Sequence, residues 1–578
     1  MAYRLEGTEI VIDGWEKGIS DDPYGGINDM RGVNIVSIPG EAPVSFAQTN
    51  YALPLCTATI TSADPATDIV TVTISTGQLQ TNQAVTFTGG SLPTGLVAGT
   101  IYWITRLSNT TFTVYSDVRL SSIVNITATG TGTMATIDMG EPKAFERTVG
   151  VMLDGNGRAW DALNSGGYWT FLGNDVTSTV GLTNRNGNGL IWYKGYLFLF
   201  YNSRICYAAY SSGGGYAAVT WVNEWSPTTG APAVGTAVFN TPTGTTNIHD
   251  SLVGQDNVIY ITDASYVASL FEKSGSTFDP TNTATYTWNN QALKIPSIDT
   301  ASCLEELGIN LMVGGIYNYI YPWDRVSTSF KYPIKIADNG TKRMITVNTN
   351  TYIFAGRRGR IYKTNGSQAD LYKKIPDHIS GIDPIFDWTN CAYNKNQLYF
   401  GVSAKNNAQT DITTYAGLWA IDITTDALRV STLQSTSTAT VTAIYAVYTV
   451  SSGFGLYVGW KTSTTYGIDA ANSSPYTTYV PYIESDLIPV GQFLKKKTFE
   501  NIEFKLSVPL VSGEGIKISA RKHKSDTYVQ VGETTTVGAL SDFYPVNFDQ
   551  SQWLQLKIET KSTASSPSYV RLKEIRIR

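Results

Sequence analysis

Histidine and cysteine are scarce, at three and four in 578 residues. With only His249, His378 and His523 to draw on, a histidine-rich metal site or several histidine-dependent active centres are hard to build. Cys56, Cys206, Cys303 and Cys391 lie far apart without a C-x-x-C pair. Buried free thiols are therefore the simplest reading, ahead of a zinc site or a disulfide framework. Charge is also sparse, at 15% of residues, and the formal net charge of −5 argues against a chain that coats nucleic acid through bulk charge. A local basic ring is still compatible with it. No run of about 18 apolar residues is present to span a bilayer. The opening MAYRLEGTEIVIDGWEKG lacks the basic-then-apolar pattern of a secretory signal, so synthesis in a cytoplasm is expected. Helical periodicity is nearly absent, the clearest candidate being the short stretch around Cys303 to Leu307. No G-x-S-x-G elbow, Walker A loop or dinucleotide fingerprint occurs.

What the chain does have is 35 tyrosines, 52 glycines and abundant threonine and serine. Aromatic and β-branched residues suit a pleated surface and Gly, Asn and Ser suit turns, so the composition predicts an all-β protein. Its length exceeds what one hydrophobic core serves, and two to four domains are expected.

A repeat organises the middle of the chain. GVMLDGNGRAWDA from Gly150, KGYLFLFYNSRICYAAY from Lys194, QDNVIYITDASYVASL from Gln255 and GINLMVGGIYNYIYPW from Gly308 share one pattern. TYIFAGRRGRIYKT at 351–364, NQLYFGVSA with GLWAIDITT from Asn396 and Gly417, and GFGLYVGWKTSTTYGID from Gly453 continue it. Each reads as a strand, a turn of Asn, Gly, Ser or Arg, and a second strand carrying Tyr or Trp. Roughly seven copies at a mean spacing of about 50 residues match the length of a four-stranded propeller blade. A blade cannot bury both faces alone, so the repeat predicts a closed β-propeller of about six or seven blades over 138–478. The basic turn of TYIFAGRRGRIYKT is then a hairpin tip, with Arg357, Arg358, Arg360 and Lys363 projecting from a rim or toward a channel. Those four are candidates for contact with DNA or with another subunit.

The flanks differ from the repeat. Residues 56–137 are rich in threonine, with alternating strands and glycine turns, and predict a small inserted β-barrel or sandwich. Residues 1–55 are expected to form an N-terminal arm with the first strands, and 479–578 a C-terminal β-sandwich. Ile502, Phe504, Leu506 and Val508 alternate onto one face of the sandwich's first strand. Lys495, Lys496 and Lys497 form a basic run just before it, a further candidate for DNA or interface contact and otherwise a solvated face.

Two strings invite chemical readings. LDGNGRAW at 153–160 is close to the Asp box of sialidase-type propellers, but the six-residue step from Asp154 to Trp160 departs from that pattern, and a tight Asn-Gly or Asp-Gly turn accounts for it. SDDPYGGIND at 20–29 gathers Asp21, Asp22 and Asp29 without the spacing of a calcium loop, so turn capping is expected. Paired carboxylates for glycoside hydrolysis need only meet in space, and the 13 tryptophans could stack on sugars, although aromatics in such folds mostly fill cores.

The phrase Asn28-Asp29-Met30-Arg31-Gly32-Val33-Asn34-Ile35, followed by Ile38-Pro39-Gly40, resembles the opening of structural tail proteins of bacteriophages. SLPTGLVAGTIYWITRLSNTTFTVYSD is similar to a β-module found in many phage tail and fibre proteins. The order of arm, inserted module, propeller and sandwich resembles tail nozzle or hub proteins of short-tailed phages. The resemblance implies a non-enzymatic virion protein without a cofactor or metal, in a ring that is commonly a hexamer. Its expected partners are portal and adaptor proteins, tail fibres, genomic DNA in transit and a host surface. The ring would hold DNA and then conduct it at ejection, and a mildly acidic chain suits passage better than a basic one. The alternatives are a receptor- or glycan-binding tail protein with or without depolymerase activity, and a cellular adhesion propeller, which the missing secretion signal disfavours.

Overall fold

The computed structural model describes residues 3–6, 9–12, 15, 27–31, 42–43, 46–50 and most of the chain from 55 onward. Beyond 55 the exceptions are 119, 147, 162–169, 173–188, 202, 211–220, 241–248, 357, 376–381, 387–390, 395, 407–416, 433–438, 450–452, 463–464, 476–481, 486, 490–496, 524, 552 and 562–569. Strands dominate, and the repeat resolves into seven successive antiparallel sheets among the described residues. The first blade is Pro142–Phe145, Val151–Asp154, Ala159–Asp161 and Thr170–Phe171. The second is Gly189–Tyr193, Tyr196–Tyr201 and Arg204–Ala209, and the third Ser251–Val253, Val258–Asp263, Tyr266–Glu272 and Tyr286–Lys294. The fourth is Ala301–Leu307, Asn310–Gly315, Tyr319–Trp323 and Ile334–Lys335, and the fifth Thr341–Val347, Asn350–Ala355, Arg360–Thr364 and Ala369–Lys374. In the sixth, Ile382–Phe386 and Ala392–Asn394 share one edge of Gln397–Asn406, followed by Gly417–Asp422 and Ala427–Thr432. The seventh is Thr440–Thr449, Gly453–Lys461 and Tyr466–Pro475, with Phe46–Asn50 as its outer strand.

The seven copies of the sequence repeat are the central hairpins of these seven blades. Each neighbouring pair of blades encloses its own apolar core. Val151, Leu153, Leu197 and Leu199 join the first and second blades, and Phe198, Phe200, Ile259 and Ile261 the second and third. Tyr260, Leu304 and Val313 lie between the third and fourth blades, and Met312, Ile320, Met344 and Ile353 between the fourth and fifth. Phe354, Phe386 and Phe400 join the fifth and sixth, and Leu418, Ala420, Val441 and Val458 the sixth and seventh. Phe145, Met152, Ala443 and Tyr445 close the circle between the seventh and first blades. First strands pack on first strands around the ring, so they are innermost. The fold is therefore a seven-bladed β-propeller, closed by a strand from the amino-terminal side of the chain.

The segment 1–55, expected as an N-terminal arm with the first strands, gives its described strands to the last blade and to the sandwich sheets. Tyr3–Glu6, Glu9–Ile12 and Ala42–Pro43 join a six-stranded sheet with Arg571–Ile577, Lys497–Leu506 and Ser541–Ser551. Ile27–Arg31 joins a second sheet with Tyr482–Ser485, Ile488–Pro489, Trp553–Lys561, Gly515–Arg521 and Val529–Thr534. The segment's described strands find their hydrogen-bond partners in the sandwich and the last blade. Ile10 and Ile12 are buried in the core shared with Ile575 and Ile577, and the buried Trp15 donates its indole N–H to the Lys573 carbonyl at 2.9 Å. Ile502, Phe504 and Leu506 are buried as their alternation predicts. The strand ends at Leu506, and Val508 beyond it is only half-buried.

Thr57–Asp64, Ile69–Thr76, Ala84–Thr88, Ile101–Arg106, Thr111–Tyr115 and Gly132–Thr136 form a closed barrel. It is inserted between the closing strand Phe46–Asn50 and the first blade. Along Thr57–Asp64 threonines face solvent while Ala58 and Ile60 face the barrel core with the period of two of a half-buried strand, and a bulge between Ile60 and Ser62 shifts the next inward residue to Ala63. The barrel docks on the first and seventh blades through Ala84, Trp103 and Val118, and the Trp103 indole donates to the Phe171 carbonyl at 2.9 Å.

Two further expectations meet the structure here. Ala301–Leu307 is a strand and not a helix. As an innermost strand it is covered on both faces, so burial erases the alternation that marks a half-exposed strand. All four cysteines are buried free thiols, and burial pushes the Cys303 thiol well above its usual value.

Candidate functional site

The residues 351–364 form a hairpin whose strands Asn350–Ala355 and Arg360–Thr364 are the second and third of the fifth blade. The turn folds this way because Gly356 and Gly359 both take positive φ, at 75° and 58°. A Cβ on Gly359 would come within 2.8 Å of the Ile375 Cβ and 3.0 Å of the Pro384 Cβ, so the tip is clamped against the start of the sixth blade. Arg358 is exposed at this tip, and Arg357 lies outside the described residues.

Strand alternation divides the other two cations. Arg360 and Lys363 are three residues apart, so they point to opposite faces of the blade. Arg360 faces the fourth blade and lies 3.5 Å from Asp338, whose carboxylate also accepts the Tyr362 hydroxyl at 2.6 Å. Burial, reinforced by Asp338, pushes the Tyr362 phenol up to about 12. Lys363 faces the sixth blade, with its ammonium 5.6 Å from the Tyr352 ring centroid and 5.5 Å from that of Tyr372. Neither residue is on an innermost strand, so neither lines the axis of the propeller. Lys495 and Lys496 lie outside the described residues, and Lys497 begins a sandwich strand. Asp21 and Asp22 also lie outside the described residues, and Asp29 sits within the strand Ile27–Arg31.

Lys363 instead borders an open groove of about 220 Å³, lined by Asn350, Thr364, Asn365, Gln368, Asp370, Leu371 and Tyr372. The turn that forms one wall is held by its own bonds. Thr364 donates its hydroxyl to the Gln368 carbonyl at 2.5 Å, Gly366 N–H donates to the Thr364 hydroxyl at 3.0 Å, and the Ser367 hydroxyl donates to Asn365 Oδ1 at 2.8 Å. On the far side the Tyr372 hydroxyl bonds Asp426 of the sixth blade.

The axis carries a different chemistry that no sequence window revealed. The free edge of an innermost strand has N–H groups that need acceptors, and carboxylates of neighbouring blades provide them. Asp250 accepts from Leu304 N–H at 2.7 Å, Glu305 from Thr346 N–H at 3.1 Å, and Glu146 from Trp192 N–H at 3.2 Å. Asp250 also pairs with Arg343 at 2.5 Å, although the two belong to the third and fifth blades. Side chains of non-adjacent blades thus meet on the inner side of the ring. Arg325 similarly ties the third blade to the fourth, 3.3 Å from Asp256 and 2.6 Å from Glu306. Apart from Glu306 and Arg325, which share the fourth blade, these partners sit on different blades, so only the ring brings them together.

The string LDGNGRAW is also structural. Asp154 is buried and accepts from the N–H groups of Gly140, Asn156 and Arg158 at 2.8, 2.9 and 2.9 Å, and from the Trp160 indole at 2.9 Å. A carboxylate enclosed by four donors latches one blade and has no open face for a substrate. Among the described residues no group of three His, Cys, Asp or Glu side chains gathers as a metal-binding cluster.

No family model and no curated protein matches this chain. Among solved structures, the β-propeller domain of Cps50 (Swd1) from Myceliophteria thermophila is 12% identical, covers 58% of this chain and 98% of its own, and has a TM-score of 0.38. The computationally designed Ika8 protein is 12% identical, covering 58% and 96% with a TM-score of 0.33. BamB from Moraxella catarrhalis is 10% identical, covering 68% and 98% with a TM-score of 0.30. The propeller itself rests on the sheet order and the unbroken circle of interblade cores.

Proposed function

We propose that the protein is a structural, non-enzymatic subunit of a bacteriophage tail. In this reading copies assemble into a ring, a nozzle or hub expected to be hexameric, that retains DNA and then conducts it during ejection. The observation that supports it best is the apolar surface of the fourth blade. Val326, Tyr332, Ile298 and Ile309 are 90%, 87%, 81% and 76% exposed on loops at its two rims. Ile309, Val326 and Tyr332 share one end of the blade, and apolar side chains grouped at one rim suit a surface that is covered in an assembly. The barrel occupies the first and seventh blades and the sandwich shares a core with the fifth and sixth, so the fourth is free to meet a neighbour. In this reading the DNA path runs between subunits and not along the axis of one propeller, whose inner side carries the Asp250–Arg343 pair.

Arg358 is the hairpin cation best suited to a lumen or subunit contact, since it is exposed while Arg360 is engaged by Asp338. Portal, adaptor and fibre proteins of the same particle would be the partners. The test is native mass spectrometry of the purified protein with negative-stain class averages. A ring with an axial opening wide enough for a duplex is expected, and a monomer or trimer at micromolar concentration would overturn the reading.

A further inference from the structure

We propose that the groove on the fifth blade is a binding site for one acidic sugar unit, a pyranose bearing a carboxylate. Three features of the groove argue for that ligand class. The first is its size. About 220 Å³ lies below the roughly 300–1,000 Å³ of pockets that take drug-sized ligands, and suits a single ring.

The second is the character of its wall. Asn350, Asn365 and Gln368 offer amide donors and acceptors, Thr364 lines the floor, and Asp370 adds a carboxylate that accepts from hydroxyls. Leu371, 56% exposed, and the half-buried Tyr372 present apolar surface beside them. A pyranose combines hydroxyls around its rim with an apolar C–H face, and this wall offers a partner to each.

The third feature is Lys363. Its cross-strand neighbour in register is Asp370, yet Lys363 makes no ion pair among the described residues and is held on the faces of Tyr352 and Tyr372. Its ammonium is therefore left without a direct carboxylate partner, and an anionic group on the ligand can fill that place. A nucleic-acid backbone fits less well, because a single cation in a groove of this size can meet one anionic group but cannot track a row of phosphates. An apolar peptide fits less well again, because amides dominate the wall. The turn Thr364–Gln368 is braced by its own hydrogen bonds, so little ordering is lost when a ligand enters.

The proposal does not rest on the ring reading, and its test is independent of oligomeric state. The full chain is titrated with a galacturonate trisaccharide and, separately, with its neutral galactose counterpart, using saturation-transfer NMR and calorimetry. Millimolar or tighter binding of the uronate is expected, weakening with added salt, with the neutral sugar at least tenfold weaker. Lys363→Met, which keeps most of the apolar stem and removes the charge, should reduce uronate affinity at least tenfold and leave neutral-sugar affinity unchanged. Asn365→Ala should weaken both sugars. Thermal melting of each variant guards against a folding defect, and Gln368→Ala serves as a second wall variant should Asn365→Ala loosen the turn. Equal affinity for the two sugars, no binding of either, or a Lys363→Met variant that binds uronate as the parent does would each overturn the proposal.

Discussion

Single residues in this protein are constrained mostly by where their polar atoms end. Asp154 and Trp160 illustrate it: six residues apart and both buried, they satisfy each other across a hairpin. Trp160→Phe keeps an aromatic ring but removes the indole donor and part of the buried volume, leaving a buried carboxylate oxygen short of one partner. The expected loss is about 1–3 kcal/mol of unfolding free energy, measured by urea denaturation. Burial also raises the carboxyls of Asp154 and Glu146 above their ordinary value. The folded state then holds more protons than the unfolded state between the ordinary and the elevated pKa. Stability is therefore expected to fall as pH rises through that interval, and Glu146→Gln to flatten the slope. Urea midpoints between pH 4 and pH 8 check this, and a Glu146→Gln variant with an unchanged slope would contradict it. The hairpin of LDGNGRAW was legible at this scale, because Asp, Asn and Gly state their turn preferences locally. The pairing of Asp250 with Arg343 was not, since no local preference links residues 93 positions apart.

At the scale of one element, the basic hairpin shows how a sequence cluster comes apart in a strand. Arg358, Arg360 and Lys363 look like one site along the chain, but the period of two sends Arg360 toward Asp338 and Lys363 toward Tyr352 and Tyr372. Arg358→Glu should alter stability by less than about 0.5 kcal/mol, as an exposed tip substitution does. Arg360→Glu brings a second carboxylate toward Asp338 and should lower stability by about 1 kcal/mol after allowance for solvent screening. Matched melting curves distinguish the two, and equal losses would contradict the division. Gly359→Ala should cost more, about 1–3 kcal/mol, because positive φ and the Ile375 and Pro384 contacts leave no room for a Cβ. The reading of Cys303 to Leu307 as a helix failed at this same scale. Ala301–Leu307 is buried on both faces, and a strand without a wet face carries no alternation to detect.

At the scale of the whole molecule, the two ends of the chain hold the propeller shut. Removing residues 1–55 would delete the outer strand of the seventh blade and four strands of the sandwich at once. Loss of cooperative folding is expected, visible as early proteolysis of 440–578. The inserted barrel should behave differently, because its ends are adjacent. Cys56 N–H donates to the Thr136 hydroxyl at 2.9 Å, and Thr136 N–H donates to the Cys56 carbonyl at 2.9 Å. Replacing 56–137 with a short glycine-serine linker should leave a folded propeller, destabilised by a few kcal/mol where Ala84, Trp103 and Val118 no longer cover the first and seventh blades. Trp103→Ala in the full chain should show the docking part of that loss, about 3–5 kcal/mol by calorimetry. A propeller that fails to fold without the barrel would contradict this.

The sequence by itself determined the all-β class, the seven hairpins and the composition break around the barrel, because strand pairing across a tight turn is written in neighbouring residues. Only the tertiary structure decided that Phe46–Asn50 closes the ring, that the strands Tyr3–Glu6, Glu9–Ile12, Ile27–Arg31 and Ala42–Pro43 belong to the sandwich, and that Lys363 borders a groove apart from Arg358 and Arg360. Those outcomes depend on pairings between strands hundreds of residues apart. The backbone hydrogen bonds that make them are offered alike by every residue type except proline, and so leave little mark in the sequence.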